Sequence, residues 1–399
     1  MNRRVVVTGL GIVSSIGIGK DCFWKNLIKG KSGISKVSLF DTSHMSRHYA
    51  GEIKNFTPQE YIPGEKIKFM GRATQLAVVA TKLALEDAGL KPRDVNALFL
   101  GTTMAENLQI EYLFESWFSG KKDLERKKVV LSPANNLSGN VGIYFKIRPR
   151  NLLIPTACAA GNYAIGYGFD LIRNAEADCV VCGGADAFFK INFQGFLRLY
   201  AMAEQICQPF DRDRKGMLVG EGAGILILEE LKQALSRNAH IYAEILGYGL
   251  SCDAYHITAP HPRGIRKAIE KALDNSGVSV EDVDYISAHG TGTIQNDKAE
   301  CKAIKDVFGR RYKEIPISSI KSMLGHCMGA ASAIEALSCC LALQEEIIPP
   351  TINYKTPDPD CDIDCVPNKS RRKQLEIVLN NGFAFGGNNC CVVFRRYKE

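Results

Sequence analysis

The sequence of 399 residues has no run of about 20 uninterrupted apolar residues, the length that a transmembrane helix needs. Its lysines and arginines are spread along the chain rather than gathered into one block, and the formal net charge is a modest +7. These absences argue against a membrane protein and a dedicated nucleic-acid binder, but they are compatible with an acidic partner. The N-terminal stretch imitates a signal peptide, yet it contains glycines and recurs later in the chain, so the cytoplasm is the expected location.

The chain also lacks a second pair of cysteines at zinc-site spacing. Cys179 and Cys182 form a CxxC, but both lie inside one apolar, strand-like run. The 14 cysteines are scattered along the chain, as small buried thiols are in a reducing compartment. We therefore predict free thiols and no metal site.

Two long segments of the chain repeat each other. Residues 80–102 align without a gap with residues 268–290. Each segment reads as an amphipathic helix, a terminating glycine, a short connection and an apolar strand. Two shorter echoes support the duplication: "VTGLGIVS" from residue 7 resembles "ILGYGLSC" from residue 245, and "CAAGNYAI" from residue 158 resembles "CMGAASAI" from residue 327.

The repeats predict an α/β protein made of two duplicated halves, residues 1–238 and 239–399. In each half, the alternation of strands and helices predicts a mainly parallel sheet covered by helices, with ligands at the carboxyl ends of strands. Fused repeats commonly pack about a pseudo-twofold axis. That arrangement would bring equivalent loops of the two halves to one shared site.

One cysteine stands at a strand-to-helix turn among residues with almost no side chain. Cys158 lies within "TACAAG", after an apolar run and ahead of a helical segment. The positive end of the helix dipole favours a thiolate at this position, and the small neighbours leave the sulfur open to a ligand. The alternative is a buried structural cysteine in a tightly packed bend.

Three further stretches differ from ordinary scaffold. "SAHGTGT" places His289 at the carboxyl end of the repeated strand, where ligands bind in such sheets. "SIKSMLGHCMGAA" offers Lys321 and His326 at the place in the second half that Cys158 holds in the first. "NGFAFGGNN" places Phe385 before a Gly-Gly turn whose N–H groups suit a ligand. Taken singly, each histidine could be structural, and Phe385 could belong to the core.

A twofold relation between the halves would bring His326 close to the sulfur of Cys158. A reactive thiolate accepts an acyl group from a thioester. Two histidines that donate hydrogen bonds to one oxygen stabilise an enolate, such as the one formed when a malonyl thioester loses carbon dioxide. A Cys/His hydrolase needs only one imidazole, usually oriented by a carboxamide or carboxylate.

The ordered motifs of the chain resemble those of β-ketoacyl-acyl carrier protein synthases of the elongating type II class, in the thiolase superfamily. The resemblance covers nearly the whole chain. It implies a thiolase-like five-layered αβαβα fold, a homodimer and an acyl carrier protein, loaded with an acyl or malonyl group, as partner; no cofactor is expected. The motifs that carry it are "VVVTGLGIVSSIG", "TACAAG", "PFDRDRKGMLVGEGAG", "DAYHITAP", "AHGTGT", "SIKSMLGHCMGAA" and "GFAFGGNN".

The resemblance also implies roles for individual residues. It places a catalytic triad on Cys158, His289 and His326. It assigns the oxyanion hole to the N–H groups of Cys158 and Phe385, and makes Phe385 the gate to the acyl pocket. The remaining implied residues are the lysine near the second histidine (Lys321), the carboxylate paired with that lysine (Glu300), the hydroxyls that hold the phosphopantetheine arm (Thr291 and Thr293) and the docking patch for the acidic carrier protein (Lys66 and Lys68).

Every triad position is occupied, which separates this chain from three kinds of relative. Chain-length-factor subunits lack the cysteine, starter-type synthases carry Asn at the second histidine, and thiolases use a second cysteine. The resemblance therefore implies decarboxylative Claisen condensation in the synthesis of fatty acids or of related polyketides or specialised lipids. The two rival hypotheses are a non-catalytic partner subunit and an oxidoreductase built on "GLGIVSSIG", where Ser14 stands in place of the third glycine of a dinucleotide fingerprint.

Overall fold

The computed structural model describes residues 3–54, 56–120, 126–148 and 150–398. Strands and helices alternate over much of this length, as the sequence predicts. The strands of the described ranges are β1 (Val5–Ser14), β2 (Gly17–Ile18), β3 (Ser35–Lys36), β4 (Tyr49–Ala50), β5 (Ala97–Gly101), β6 (Asn151–Ile154), β7 (Cys179–Asp186), β8 (Gly222–Glu230), β9 (Ala243–Cys252), β10 (Tyr285–Ser287), β11 (Ile317–Ser318), β12 (Ile347–Ile348), β13 (Arg371–Arg372), β14 (Ile377–Phe383) and β15 (Asn388–Arg395).

The helices differ widely in length. None of the described helices combines the length and the apolar character that crossing a membrane requires. The α-helices of the described ranges are α1 (Lys20–Ile28), α2 (Gly64–Ile67), α3 (Arg72–Ala88), α4 (Asn107–Phe118), α5 (Arg126–Leu131), α6 (Asn136–Phe145), α7 (Ala160–Arg173), α8 (Lys190–Arg198), α9 (Leu231–Ser236), α10 (Pro262–Ser276), α11 (Ile294–Phe308), α12 (Lys321–Leu324) and α13 (Ala331–Glu345).

The main strands form one continuous hydrogen-bonded path, in the order β11-β10-β14-β15-β9-β1-β8-β7-β5-β6. The two halves of this path mirror each other. The first main strand of each half, β1 or β9, lies at the junction, and the third, β6 or β11, lies at the outer edge. The junction itself is short, since β1 and β9 pair only from Val5 with Ile245 to Val7 with Ala243.

Four of the five main strands in each half run in one direction, as the prediction of a mainly parallel sheet requires, but β8 and β15 run against their neighbours and make each half-sheet mixed. The outer pairings are parallel, namely β6 with β5, β5 with β7, β11 with β10 and β10 with β14. The inner pairings, which run from β7 and β14 to the junction, are antiparallel. The hairpin between β14 and β15 shows the reason: residues 384–387 are too short a connection for a parallel crossover.

The duplication expected from the repeats is confirmed. Helices α3 and α10 end at Gly89 and Gly277, both left-handed, with φ of 66° and 65°. Strands β5 and β10 then begin at equivalent positions of the repeated segment, Ala97 and Tyr285. The opening strands β1 and β9 are also equivalent over their whole length, from Val5 and Ala243 onward.

Glycines in β1 and β9 allow the covering helices to approach closely. An ideal Cβ on Gly11 would lie 1.9 Å from the carbonyl oxygen of Ala80 in α3, and one on Gly249 would lie 2.2 Å from that of Ala268 in α10. A dinucleotide fingerprint needs its glycines in a turn after the strand. Here they lie inside the strand, which removes the structural basis of the oxidoreductase hypothesis.

The core divides into layers that follow the alternation of side chains along the strands. In β8, Leu226 and Leu228 face a central cluster that includes α7 and α13, while Ile225 and Ile227 face an outer cluster with α3. In the second half, β15 divides its side chains in the same way between the central cluster and an outer cluster with α10 and α11. The result is the expected five-layered αβαβα fold, with α7 and α13 in the middle layer.

Candidate active site

Cys158 lies at the turn between β6 and α7, where the sequence predicts it. A single 3-10 turn spans Ala157–Ala159 and leads into α7. Ala157 adopts a φ of 50°, a left-handed conformation that costs about 1 to 3 kcal/mol in a residue other than glycine. The turn places Cys158 on the wall of a cavity of about 370 Å³.

The small residues around Cys158 are explained by packing rather than by access to the sulfur. An ideal Cβ on Gly161 would lie 2.6 Å from the backbone nitrogen of Ala333 in α13. Ala159 and Ala160 are fully buried, and Cys158 itself is only 8% exposed. The close approach of α7 to α13 therefore excludes bulky side chains from this segment.

The second half repeats this turn just before α13. The turn spans Met328–Ala330, and Met328 has a φ of 51°, which makes it equivalent to Ala157. The sequence echo pairs Cys158 with Cys327, whereas the two turns pair Cys158 with Gly329. Gly329, and not Cys327, is therefore the structural counterpart of the cysteine.

The two histidines and the cysteine meet in the cavity. The sulfur of Cys158 and one ring nitrogen from each of His289 and His326 all lie within 4.8 Å of one another. The imidazole rings are 5.4 Å apart between centroids and nearly perpendicular. His289 follows β10 and His326 follows α12, so both imidazoles come from the second half and the nucleophile comes from the first.

The tautomer of His326 is defined by the backbone. The N–H of Met328 donates to Nδ1 of His326 at 3.1 Å, so Nδ1 is unprotonated and the ring proton lies on Nε2. In contrast, Nδ1 of His289 is buried and has no hydrogen-bond partner among the described residues. His326 is therefore a fixed Nε2 donor, while no hydrogen bond at Nδ1 fixes the tautomer of His289.

Both imidazoles are neutral. Burial lowers the pKa of His289 and of His326 well below the usual value, and the cation of Lys321 lowers both further. A neutral imidazole donates through one nitrogen and accepts through the other. The pair can therefore bind an oxygen and exchange a proton without carrying a resting charge.

The thiolate expected at Cys158 is not the resting form. Burial raises the pKa of Cys158 to about 12, although Lys321 and the N–H groups of Phe385 and of Cys158 itself act in the opposite direction. Desolvation thus outweighs the helix end. At neutral pH the sulfur carries its proton, which must leave as the sulfur attacks, and an imidazole nitrogen of each histidine lies within 4.8 Å of it.

Lys321 forms its ion pair with a residue that the sequence analysis missed. Its ammonium group donates to Glu335 in α13, and both side chains are 2% exposed. Burial raises the pKa of Glu335 to about 7, against the effect of Lys321. The assignment of Glu300 as the partner of Lys321 is therefore wrong. A signal for Glu335 was present, because it is the only charged residue of α13 before the last residue of the helix.

Glu300 instead holds the loop that carries His289. Its two carboxylate oxygens accept the N–H groups of His289 and Gly290, each at 2.8 Å. Burial raises the pKa of Glu300 to about 7, although the hydrogen bonds from these two N–H groups act in the opposite direction. Glu300 therefore fixes the position of His289 through the backbone.

The two threonines expected to hold a phosphopantetheine arm lie on the same loop and line the cavity. Their hydroxyl oxygens, Thr291 Oγ1 and Thr293 Oγ1, are 2.8 Å apart. Gly290 precedes the first threonine, Gly292 lies between the two, and both glycines have a positive φ. The loop thus turns both hydroxyls toward the cavity that contains Cys158.

Phe385 lies at the tip of the β14–β15 hairpin, between two cavities. It lines the cavity of Cys158 and a second cavity of about 430 Å³. Its ring is 6.0 Å from that of Phe196, and it is 37% exposed. A hydrogen bond from its N–H to the sulfur lowers the pKa of Cys158, and the role of this N–H in an oxyanion hole stays a prediction.

The expected docking lysines lie outside the cavity. Lys66 and Lys68 are exposed, on and just after the short helix α2. Their ammonium groups lie over the rings of Tyr144 and Phe69, at 4.8 Å and 5.2 Å from the centroids. Another exposed lysine, Lys215, lines the cavity itself.

The chain is similar to known proteins over nearly its whole length. Family models for the N-terminal and C-terminal domains of β-ketoacyl synthases match residues 2–234 and 242–355. The 3-oxoacyl-(acyl-carrier-protein) synthase 2 of Synechocystis sp. is 40% identical, over 99% of both chains. The enzyme of the same name from Staphylococcus aureus is 38% identical, over 100% of this chain and 99% of the relative.

Solved structures give the same result. The ishigamide ketosynthase/chain length factor superposes with a TM-score of 0.97 at 44% identity, over 100% of both chains. The AntDE:AntF complex, a type II polyketide acyl-carrier protein with its ketosynthase bound to the hexaketide, gives 0.91 at 33% identity, also over 100% of both chains. The chain therefore belongs to the β-ketoacyl synthase family.

Proposed function

We propose that the chain is a β-ketoacyl-acyl carrier protein synthase that performs decarboxylative Claisen condensation. The observation that carries the proposal is the meeting of one thiol and two neutral imidazoles in a single cavity. Membership of the family supports it, and so do relatives whose names describe this reaction. The product is a β-ketoacyl thioester for fatty acid synthesis or for a related polyketide or specialised lipid.

The first step transfers an acyl group to Cys158. Its sulfur attacks the acyl thioester of the carrier protein, an S–C bond forms, and the S–C bond to the carrier breaks. The proton of the Cys158 thiol passes through His289 to the departing carrier thiolate. The N–H groups of Cys158 and Phe385 stabilise the negative oxygen that forms during this transfer.

The second step forms the carbon–carbon bond. Malonyl-acyl carrier protein loses carbon dioxide, and the electron pair of the broken C–C bond becomes an enolate. Nε2–H of His326, with its proton fixed by Met328, donates to the enolate oxygen beside His289. The enolate carbon attacks the acyl group, the S–C bond to Cys158 breaks, and the electron pair of that bond stays on the sulfur. The sulfur then takes up a proton that water supplies through His289.

Lys321 and Glu300 act on the histidines rather than on the substrate. Burial keeps both imidazoles neutral by lowering their pKa, the cation of Lys321 adds to that effect, and Glu300 holds the backbone of His289. Thr291 and Thr293 hold the phosphopantetheine arm that delivers each thioester. No metal takes part, although a thiol and two imidazoles at this spacing would also suit Zn²⁺. Unchanged turnover after treatment with a strong chelator is the expected result.

The partner in both steps is an acyl carrier protein. Its acidic face docks on Lys66 and Lys68, which are exposed and available for it. Reversal of both charges, in Lys66→Glu with Lys68→Glu, is expected to raise KM for carrier-bound substrates and to weaken its dependence on salt. Unchanged KM would place the docking site elsewhere, with Lys215 at the cavity as the next candidate.

The chain forms a homodimer through the edge of the sheet at β6. Strand β6 has a neighbour on one side only among the described strands. Light scattering on the purified chain is expected to give twice the mass of one chain. A monomer that dimerises only with a non-identical chain would contradict the homodimer. The exposed apolar residues of the adjoining elements are Trp117, Phe118, Val130, Ile143 and Leu152.

Formation of an acyl-enzyme tests the proposed function directly. The protein is incubated with acyl-carrier protein and its mass is measured, with the modified residue located by peptide mapping. The acyl group is expected on Cys158, and Cys158→Ala is expected to remain unmodified. The matched control is Cys22→Ala, which removes an exposed thiol outside the cavity. Acylation of the Cys158→Ala variant would place the nucleophile elsewhere and contradict the proposal, whereas no acylation of the wild type would favour a non-catalytic partner subunit. A cytoplasmic location stays a prediction from the sequence.

A further inference from the structure

The cavity on the far side of Phe385 is apolar, as an acyl pocket should be. It is lined by α4, by α8 and by the residues just before them. Phe196, Leu199 and Phe385 face both this cavity and the cavity of Cys158, so only side chains separate the two. A chain bound to Cys158 would enter here once the ring of Phe385 turns aside.

One buried polar side chain interrupts this apolar lining. Asn192, in the first turn of α8, is 3% exposed and lines the cavity. Its Oδ1 accepts the N–H of Phe189 at 3.0 Å, which closes the first turn of the helix. That bond fixes the orientation of the amide, because Nδ2 cannot accept a hydrogen bond.

The other end of the Asn192 amide is unsatisfied. Its Nδ2 is buried and has no hydrogen-bond partner among the described residues. A buried donor without an acceptor is costly, and such groups are rare in folded proteins. A hydrocarbon chain that filled the cavity would exclude water and leave Nδ2 without a partner.

A second amide faces the same cavity. Asn107, at the start of α4, lines it opposite α8. Its Nδ2 contacts the sulfur of Met104 at 3.9 Å, and a thioether is a weak acceptor. The cavity therefore offers two amide donors within an otherwise apolar wall.

We infer that Asn192 donates a hydrogen bond to an oxygen on the acyl chain. The preferred substrate is an acyl chain that carries a carbonyl or hydroxyl group at the depth of Asn192, rather than an unbroken hydrocarbon chain. A site that pairs with a substrate oxygen discriminates against the analogue that lacks it, because the donor is then left unpaired. This inference rests on the proposed function, since it requires acyl transfer to Cys158.

The test is a panel of carrier-bound acyl chains of one length. The chains carry no oxygen beyond the thioester, or a single carbonyl group at successive carbons, and the initial rate of acylation of Cys158 is measured by mass spectrometry. We expect one position, or two adjacent ones, to react roughly ten-fold faster than the hydrocarbon chain. In Asn192→Leu this ratio falls to about one.

Ratios between substrates separate the inference from effects on folding. Asn192→Ser keeps a hydroxyl oxygen that can accept the N–H of Phe189 but removes the Nδ2 donor, whose position the shorter serine side chain does not occupy, and it is expected to lose the preference as well. Gln194→Leu makes a similar change on the same helix, outside the lining of the cavity, and should keep the wild-type ratio. The absence of any preference in the wild type overturns the inference. So does a preference that survives in Asn192→Leu, or an equal gain for all chains, which would indicate bound water. A failure of every chain to acylate Cys158 would refute the proposed function instead.

Discussion

The two halves of the molecule use the same turn in different ways. The turn before α7 carries Cys158, whose side chain faces a cavity, and the turn before α13 carries Gly329 in the equivalent position. An ideal Cβ on Gly329 would lie 2.4 Å from the backbone of Thr102 in the first half. The N–H of Gly329 donates to the buried carboxylate of Asp186 at 2.7 Å.

This difference shows how a duplicated backbone came to hold unequal chemistry. The first turn is open on one side and presents a nucleophile. The second turn is pressed against the first half and has no room for a side chain, but the residues just before it supply Lys321 and His326. Symmetry of the backbone therefore places the groups in one cavity, while the difference in packing decides which copy carries the sulfur.

The largest expected effect distinguishes the two turns: a substitution in the first turn removes activity, and a substitution in the second turn lowers stability. Cys158→Ala is expected to reduce condensation by at least about 10⁴-fold, because the nucleophile is lost. Gly329→Ala is expected to lower the free energy of unfolding by about 1 to 3 kcal/mol, since the added methyl group overlaps backbone atoms. Steady-state assays and urea denaturation of both variants check this. A stable Gly329→Ala protein would show that packing does not distinguish the turns.

The next effect concerns the buried ion pair that stands beside the second turn. Lys321→Gln leaves Glu335 buried without its cation, and the expected loss is about 3 to 5 kcal/mol in the free energy of unfolding. The double variant Lys321→Gln with Glu335→Gln removes both charges and should recover most of the loss. If the single and the double variant were equally unstable, the ion pair would not be the cause.

The same ion pair sets a pH dependence. Lys321 lowers the pKa of both histidines, so its removal raises them. Because the neutral imidazoles are the active form, activity is lost as pH falls through their pKa. The acid limb of the pH profile should therefore lie at higher pH in the double variant than in the wild type.

A smaller effect tests whether the scaffold itself is symmetric. Gly11→Ala and Gly249→Ala each bring a methyl group against a helix carbonyl, and each is expected to cost about 1 to 3 kcal/mol. The matched control is Gly139→Ala in α6, where an added Cβ meets nothing within 4 Å. Thermal unfolding of the three variants measures the difference. Very unequal losses at Gly11 and Gly249 would mean that the two halves are packed differently.

A separate test concerns the protonation of the sulfur in the first turn. Burial raises the pKa of Cys158 to about 12, so the thiolate fraction, and with it the rate of alkylation, should rise about ten-fold for each pH unit between pH 7 and pH 10. The rate is followed at Cys158 by mass spectrometry, with the exposed Cys22 as an internal reference. An alkylation rate that reaches a plateau below pH 8 would show that the thiolate is the resting form, as the sequence alone suggests.

Much of the fold was predictable because it is written in local patterns. Within residues 80–102, the helix, its terminal Gly89 and the strand after it follow from periodicity and from the glycine, which adopts a positive φ in the structure; the start of that helix at Arg72 was not predicted. The recurrence of the same unit at residues 268–290 predicted the duplication. The direction of the strands was not predictable in this way, because β8 and β15 obtain their antiparallel neighbours from the sheet as a whole.

The same division applies to the site. Cys158, His289 and His326 were identified because each stands at the end of a strand or in a matching turn. Glu335 was missed as the partner of Lys321, because the pairing of two buried charges depends on how α12 and α13 meet. The resting thiol at Cys158 was missed for a related reason: the helix end is visible in the sequence, but the degree of desolvation is not.

The packing around residue 158 allows the chain to lose its catalytic activity more easily than its fold. The close contacts of this region are made by Gly161 against α13 and by Gly329 against the first half, and none of them needs the sulfur. A second gene for this chain could therefore drift at a single codon and still encode a folded protein with the same edge strand. Non-catalytic partner subunits of an active chain would then arise with the fold unchanged.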